Sequence, residues 1–232
     1  MPFYGFVDPT YILVIIGVII TMIASAKVQS TFRKYSRVGS LSGIRGAQAA
    51  DKILNSAGIH DVRIEAVGGN LTDHYDPRTK VLRLSDSVYG STSVSAIGVA
   101  AHECGHAVQH SQGYTPLKLR SALVPIVNFG STLSWPIILL GLILGTNQTL
   151  IQLGIFLFSF GVLFQLVTLP VELNASNNAI RMLSKTGILY NDEIRSARKV
   201  LNAAALTYIA AAAASLLQLL RLFLLFGDRK RD

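Results

Sequence analysis

Cysteine is nearly missing from this chain: Cys104 stands alone among 232 residues. No internal disulfide can form. A lone thiol on an apolar helix is a small packing residue. Cys104 also projects about 100° away from each of its neighbours, so it is not expected among metal ligands. Charge is missing over long stretches. Nothing ionisable lies between Asp8 and Lys27, and residues 121–171 carry no charge at all. Half of the residues are hydrophobic and the mean hydropathy is +0.45. That is too apolar for an ordinary soluble domain and fits an integral membrane protein. The net charge is +8, but the basic residues flank the apolar runs. Anionic lipid and membrane topology explain them. Basic and aromatic residues do not interleave as base stacking requires, so nucleic acid is not an expected partner. Internal repeats are lacking, and the only biased segment is the Ala-rich run at 203–214.

The charge gaps define the spans. Residues 9–26 form the first, at the short end of the usual length. Ala24-Ser25-Ala26 resembles a signal-peptidase site. The basic residues follow it (Lys27, Arg33, Lys34, Arg37) instead of preceding the apolar run, so an uncleaved anchor with its N-terminus outside is expected. Gly145-Thr146-Asn147-Gln148-Thr149 breaks the long uncharged run into spans at roughly 122–144 and 150–169. A last run extends from Val200 to Leu220 and past Arg221 to Phe226. Residues 27–120 hold twelve basic residues and 171–200 hold five, whereas the N-terminal tail and the 145–149 loop hold none. The positive-inside rule puts both charged regions in the cytoplasm. Four crossings would leave Arg229, Lys230 and Arg231 outside. Two readings of the last segment therefore stand: it stops short of crossing, or the tail is exported against the rule.

The polar regions between the spans read as a small α+β unit. Residues 43–57 form a short helix ended by Gly58. Val62–Val67 alternates as a half-buried strand, Leu71–Arg78 is a polar loop, and Lys80–Ser85 is a second strand directly before the next helix. Such a unit of about seventy residues has a small core and leans on the membrane helices. The expected fold is mainly α, multi-pass, with this α+β part in the cytoplasm. The chain divides into an anchor at 1–26, a catalytic part at 27–120, a two-span hairpin at 121–169, a helical segment at 170–200, and a fourth apolar helix with a basic tail at 201–232.

The chemistry sits at His102-Glu103-Cys104-Gly105-His106, an H-E-x-x-H inside a helical stretch. Two histidines four apart share one helix face, and their imidazoles can converge on one zinc ion. Glu103 is placed to act on a water instead of on the metal. A lone Glu on an otherwise apolar helix is costly unless something uses it. A catalytic site wants three protein ligands and one open position. A third His further along the helix fails, because those positions are Gln109 and Gln112. His110 would lie about 12 Å from His102 along the axis, and His60 reads as a surface residue. Glu172 is the better choice, the only carboxylate between Glu103 and Asp192. It follows Pro170, read as the start of a helix over 170–184, where the helix dipole favours a carboxylate. Two spans separate it from the motif, so the chain returns to the same side of the membrane. Ser176 shares its face and is placed to hold a ligand from behind.

Four segments together resemble the YugP-type bacterial membrane zinc metallopeptidases: Leu71-Thr72-Asp73-His74-Tyr75-Asp76-Pro77, Ala100–Ala107, Gly113–Arg120 and Pro170–Ser176. The resemblance covers nearly the whole chain. It implies a zincin-like catalytic part, zinc as cofactor, His102, His106 and Glu172 as ligands, Glu103 as catalytic base, and a polypeptide as substrate. The plan is similar to that of gluzincin membrane proteases. Those often carry Asp four residues after the ligand Glu, where this chain has Ser176.

The function expected is that of a membrane-bound zinc endopeptidase that hydrolyses peptide bonds through a zinc-activated water, with Glu103 as general base. A developing oxyanion needs a donor, for which His74, Tyr75 and Tyr114 are candidates. The strand at 80–85 is a candidate to bind substrate by strand addition. An intramembrane protease is the nearest rival, but the apolar part of the motif helix is too short to span. A zinc-binding scaffold without turnover is another. A transporter is disfavoured, because the spans hold no ionisable residue except Arg221 at one end. The expected partners are a polypeptide and the lipid bilayer.

Overall fold

The computed structural model describes residues 8–227. The chain runs α1 (Tyr11–Tyr35), α2 (Gly46–Ser56), β1 (Arg63–Val67), β2 (His74–Asp76), β3 (Val81–Ser85), α3 (Asp86–Tyr89), α4 (Val94–Ser111), α5 (Thr115–Ile143), α6 (Gln148–Lys185) and α7 (Asn191–Phe226). Four of these helices, α1, α5, α6 and α7, are long and apolar enough to cross a membrane. The protein is therefore mainly helical with one small sheet and four membrane-length helices. The helix that carries the H-E-x-x-H residues, α4, is not one of the four. The basic residues Arg229, Lys230 and Arg231 lie outside the described residues.

The chain forms two compact units. The first takes residues up to Ala24, Lys118–Leu169 and the chain from Thr207 onward. Its side chains pack sparingly: Ile138, Ile151, Ile155 and Leu222 make a small buried cluster. Gly154 lets α5 and α6 touch, since a Cβ there would stand 2.9 Å from the Ser134 carbonyl oxygen. Most large apolar side chains of this unit remain exposed, among them Met22, Phe129, Ile143, Phe156 and Leu224. Contiguous apolar surface of this kind belongs in hydrocarbon, not in water. The one cation of its spans, Arg221, lies 3.4 Å from Asp8 and over the ring of Tyr11.

The second unit, Ser25–Leu117 with Pro170–Leu206, is built like a soluble domain. Its core draws on Ile53 and Leu54 of α2, Leu82 and Leu84 of β3, Ile97, Ala101 and Cys104 of α4, and Leu183 and Leu189. The sheet order is β1-β3-β2, with β1 parallel and β2 antiparallel to the central β3. β3 is buried along nearly its whole length, which its Val-Leu-Arg-Leu sequence supports. Polar side chains cap the joints. Ser93 accepts the N–H of Ala96 at the start of α4. Asp73 accepts the N–H and hydroxyl of Ser85. The buried carboxylate of Glu193 accepts the N–H groups of Leu41 and Tyr190.

Several local expectations are corrected. The loop at 71–78 contains β2, three residues held by a neighbouring strand rather than by its own alternation. A four-residue helix, α3, separates β3 from α4. Pro170 does not begin a helix; it lies inside the continuous 38-residue α6. Glu172 is thus not in a first turn, and the helix-dipole argument for its placement falls away. Interior proline removes a backbone donor, but long apolar helices tolerate it where neighbours satisfy the freed carbonyl.

Candidate metal centre

α4 and the second half of α6 meet through small residues. Gly105, the fourth residue of the H-E-x-x-H sequence, faces Ala175: a Cβ on Gly105 would stand 2.4 Å from the Ala175 carbonyl oxygen. Only glycine permits backbones this close. The approach sets the side chains on either side of Gly105 against α6. His102 and His106 stack edge to face, their ring centroids 4.8 Å apart. Glu172 reaches both: its Oε2 lies 3.3 Å from His102 Nε2 and 3.6 Å from His106 Nε2. Ligand atoms of the three residues all lie within 4.8 Å of one another.

The outer nitrogens of both rings are occupied by protein. His102 Nδ1 lies 3.1 Å from the Ser176 hydroxyl. His106 Nδ1 lies 3.0 Å from the side-chain oxygen of Gln109. The orientation of Gln109 is not free. Its amide nitrogen donates to the Val171 carbonyl at 2.8 Å and to the Asn174 side-chain oxygen at 2.9 Å. The Gln109 oxygen must then accept, so His106 Nδ1 carries a hydrogen and Nε2 of the neutral ring presents its lone pair. Two Nε2 atoms and a carboxylate oxygen converging on one point, with outer hydrogen bonds fixing the rings, is the donor set that zinc takes.

The electrostatics agree. Glu172 is 2% exposed, and a carboxylate buried so deeply demands positive charge nearby. Burial opposes a charge on His106, yet the hydrogen bond to Glu172 and the charges of Glu103 and Glu172 raise its pKa above the ordinary histidine value. The cluster favours a cation, and a divalent metal among these donors satisfies it. Glu103 is also buried, at 7% exposure. It stands outside the convergent trio, and its carboxylate accepts no hydrogen bond from a described residue. Burial pushes the Cys104 thiol well up, which keeps it a neutral packing group. Its Sγ points to the Ala50 carbonyl of α2, not to the histidines.

The other histidines and tyrosines lie outside the trio. His60 is exposed and pairs with Asn55. His110 Nδ1 lies 2.9 Å from the Tyr75 hydroxyl. Burial, with the charges of Asp61 and Asp76, pushes the pKa of Tyr75 up to about 12, so it keeps its proton. His74 sits exposed on β2 and donates its Nδ1 hydrogen to the Thr72 carbonyl at 2.9 Å. With that hydrogen committed, its Nε2 donates only in the imidazolium form. Tyr114 is half-buried after the end of α4. β3 is paired on both sides, so the strand at 80–85 cannot take an added strand; the free edges belong to β1 and β2. Gln109 and Gly105 were not singled out in the sequence. Gln109 drew notice only as the place where a third histidine is missing. Its distance of three residues from His106 was the available signal.

A family model described as "Putative neutral zinc metallopeptidase" matches residues 10–227. The chain is 51% identical over 203 residues to the "Putative membrane protease YugP" of Bacillus subtilis (strain 168), an alignment that covers 88% of this chain and 90% of that protein. No solved structure matches the chain.

The contact at Gly105 is testable by comparison with Gly98, two turns earlier on α4. Gly105→Ala is expected to push α4 off α6, lose zinc, and lower stability by about 1–3 kcal/mol. At Gly98 the nearest atom to an added Cβ is the Ala197 Cβ at 3.5 Å, an ordinary contact. Gly98→Ala should leave zinc content and melting temperature intact or slightly improved. Metal analysis and thermal melts of both variants in detergent check this.

Proposed function

The chain belongs to the neutral zinc metallopeptidase family, and we propose that it is a membrane-bound endopeptidase in which His102, His106 and Glu172 hold the zinc and Glu103 is the general base. The observation that carries this reading is the convergence of the three donors, with both imidazoles held from behind by Ser176 and Gln109. When bound, zinc supplies Lewis acidity, polarising a carbonyl and lowering the pKa of water towards 7. Glu103 does the proton work. Its carboxylate takes a proton from the attacking water as the hydroxyl oxygen joins the carbonyl carbon. It then gives that proton to the amine nitrogen as the C–N bond breaks. Among the described residues none is seen to donate to the Glu103 carboxylate, which favours this role. The Gln109 oxygen keeps His106 in the tautomer that turns its Nε2 lone pair inward, and the Ser176 hydroxyl holds the ring of His102 in place.

The membrane reading places residues 9–26, a hairpin over 121–169 and the apolar part of α7 as spans. The basic residues of 27–120 and 171–200 favour the cytoplasm for the zinc-holding part. Because α4 is not apolar enough to be a span, cleavage is assigned to the membrane surface and not to the bilayer interior. The substrate is then a polypeptide that reaches that surface.

Three measurements test the proposal. Glu103→Gln should keep about one zinc per chain and lose protein cleavage by two to four orders of magnitude, the usual worth of a general base. Loss of zinc together with activity would remove Glu103 from the base role. Glu172→Ala should lower zinc content sharply, and unchanged zinc would reassign the third ligand. A phosphatase reporter fused at Asn147 should be active outside the cytoplasm; a silent fusion there, with a fluorescent one active, would invert the orientation.

A further inference from the structure

Away from the metal centre, α1 and α7 border a cavity of about 310 Å³ within the second unit. Lys27, Thr31, Lys34 and Tyr35 line it from α1, and Lys199 and Asn202 from α7. Lys27, Thr31 and Lys34 stand at positions i, i+4 and i+7, so they share one helix face. Three lysines therefore border one small space. No carboxylate lines it. None of the three lysines has an ion-pair partner among the described residues. The Lys34 ammonium lies 5.6 Å from the centre of the Tyr35 ring. Like charges gathered without a counter-charge repel one another, and an anion would relieve that repulsion.

The depth of the cavity follows from the sequence. Lys27 is the first ionisable residue after the apolar run that begins beyond Asp8, and Lys199 is the last before the run that begins at Val200. Each helix thus changes from polar to apolar at a lysine that lines the cavity. That change marks the level where hydrocarbon gives way to headgroups. Leu206, also at the cavity wall, lies one to two turns into the apolar run. The ligand chemistry is a phosphate: lysine is a compact point charge with three donors, and Thr31 and Asn202 add neutral donors. Basic pockets between membrane helices take anionic headgroups for these reasons.

We propose that this cavity binds the phosphate of an anionic phospholipid headgroup. The proposal does not depend on peptide hydrolysis; it rests on α1 and α7 crossing a bilayer. The test uses the full-length protein purified in a neutral detergent and titrated by native mass spectrometry. Phosphatidylglycerol and phosphatidylcholine are compared, and inorganic phosphate is added as competitor. Phosphatidylglycerol should bind in preference. Lys27→Gln, Lys34→Gln and Lys199→Gln should each weaken it roughly fivefold, and the triple variant on the order of a hundredfold, at about 1 kcal/mol per lysine. Removing the same charge elsewhere, by Arg33→Gln, Arg37→Gln and Lys52→Gln together, should leave it unchanged. The single variants carry the test if the triple variant melts early. Equal binding of the two lipids, or equal loss in the control, overturns the proposal. Inorganic phosphate that fills the site and displaces the lipid at comparable concentration assigns the site to a free anion and overturns the lipid. Release of the wild-type protein from membranes by alkaline carbonate would overturn the bilayer premise itself. A protein that resists carbonate yet shows no lipid preference would overturn the headgroup site alone.

Discussion

Burying the carboxylate of Glu172 is the constraint on which the half of this protein that carries His102 and His106 is built. A bare carboxylate in a low-dielectric interior costs several kcal/mol unless it is paired and hydrogen-bonded. Here the pairing partners are two imidazoles one turn apart on another helix. They reach the carboxylate because Gly105 lets the two backbones nearly touch. The same closeness excludes bulky packing around the trio, so polar side chains fill the remaining space. Gln109 and Asn174 are joined by one hydrogen bond. Asn178 donates to Asn174, and Arg181 to Asn178. The row of asparagines on α6 is thus not a surface accident. It is a chain of satisfied polar side chains that runs from Gln109 along α6.

Much of this was legible in the sequence. H-E-x-x-H gave two rings on one face because helical geometry alone puts residues four apart together. Glu172 was found by elimination, being the sole carboxylate of a long stretch, and Ser176 by its one-turn spacing from it. The membrane-length helices followed from gaps in charge. What stayed hidden depended on tertiary context. Pro170 reads as a boundary because interior proline costs about 3 kcal/mol in an exposed helix, yet here the helix runs through it. β2 is too short for alternation to register, and only pairing with β3 defines it. Gly105 looks like a filler within a motif until the carbonyl of Ala175 is seen against it. Gln109 looks like a missing histidine until its amide is seen to set the tautomer of His106.

The two units spend their apolar residues in different ways. In the second, Ile53, Leu82, Leu84, Ile97 and Leu183 are wholly buried and hold a sheet against helices. In the first, large side chains stay exposed and the buried cluster is small. Hydrocarbon solvates apolar surface as well as a protein core does, so helices within it need contact only where small residues allow it. Gly17 against Ala214 and Gly154 against Ile138 are such places. The one cation in those spans, Arg221, lies beside Asp8 rather than standing alone.

This division bears on where peptide hydrolysis belongs. In the proposed function, proton transfer through Glu103 needs water at the reacting carbonyl, and a polypeptide must enter as an unpaired strand. Unpaired backbone groups are costly in hydrocarbon, where nothing answers their hydrogen bonds. The candidate metal centre lies in the unit that contains the sheet, the capped loops and most of the charge. α4 itself begins at the serine cap Ser93. It ends in His110 and Ser111, and thirteen of its eighteen residues are buried. On the proposed function, the polypeptide is cleaved in this unit, where its backbone groups find water and partners.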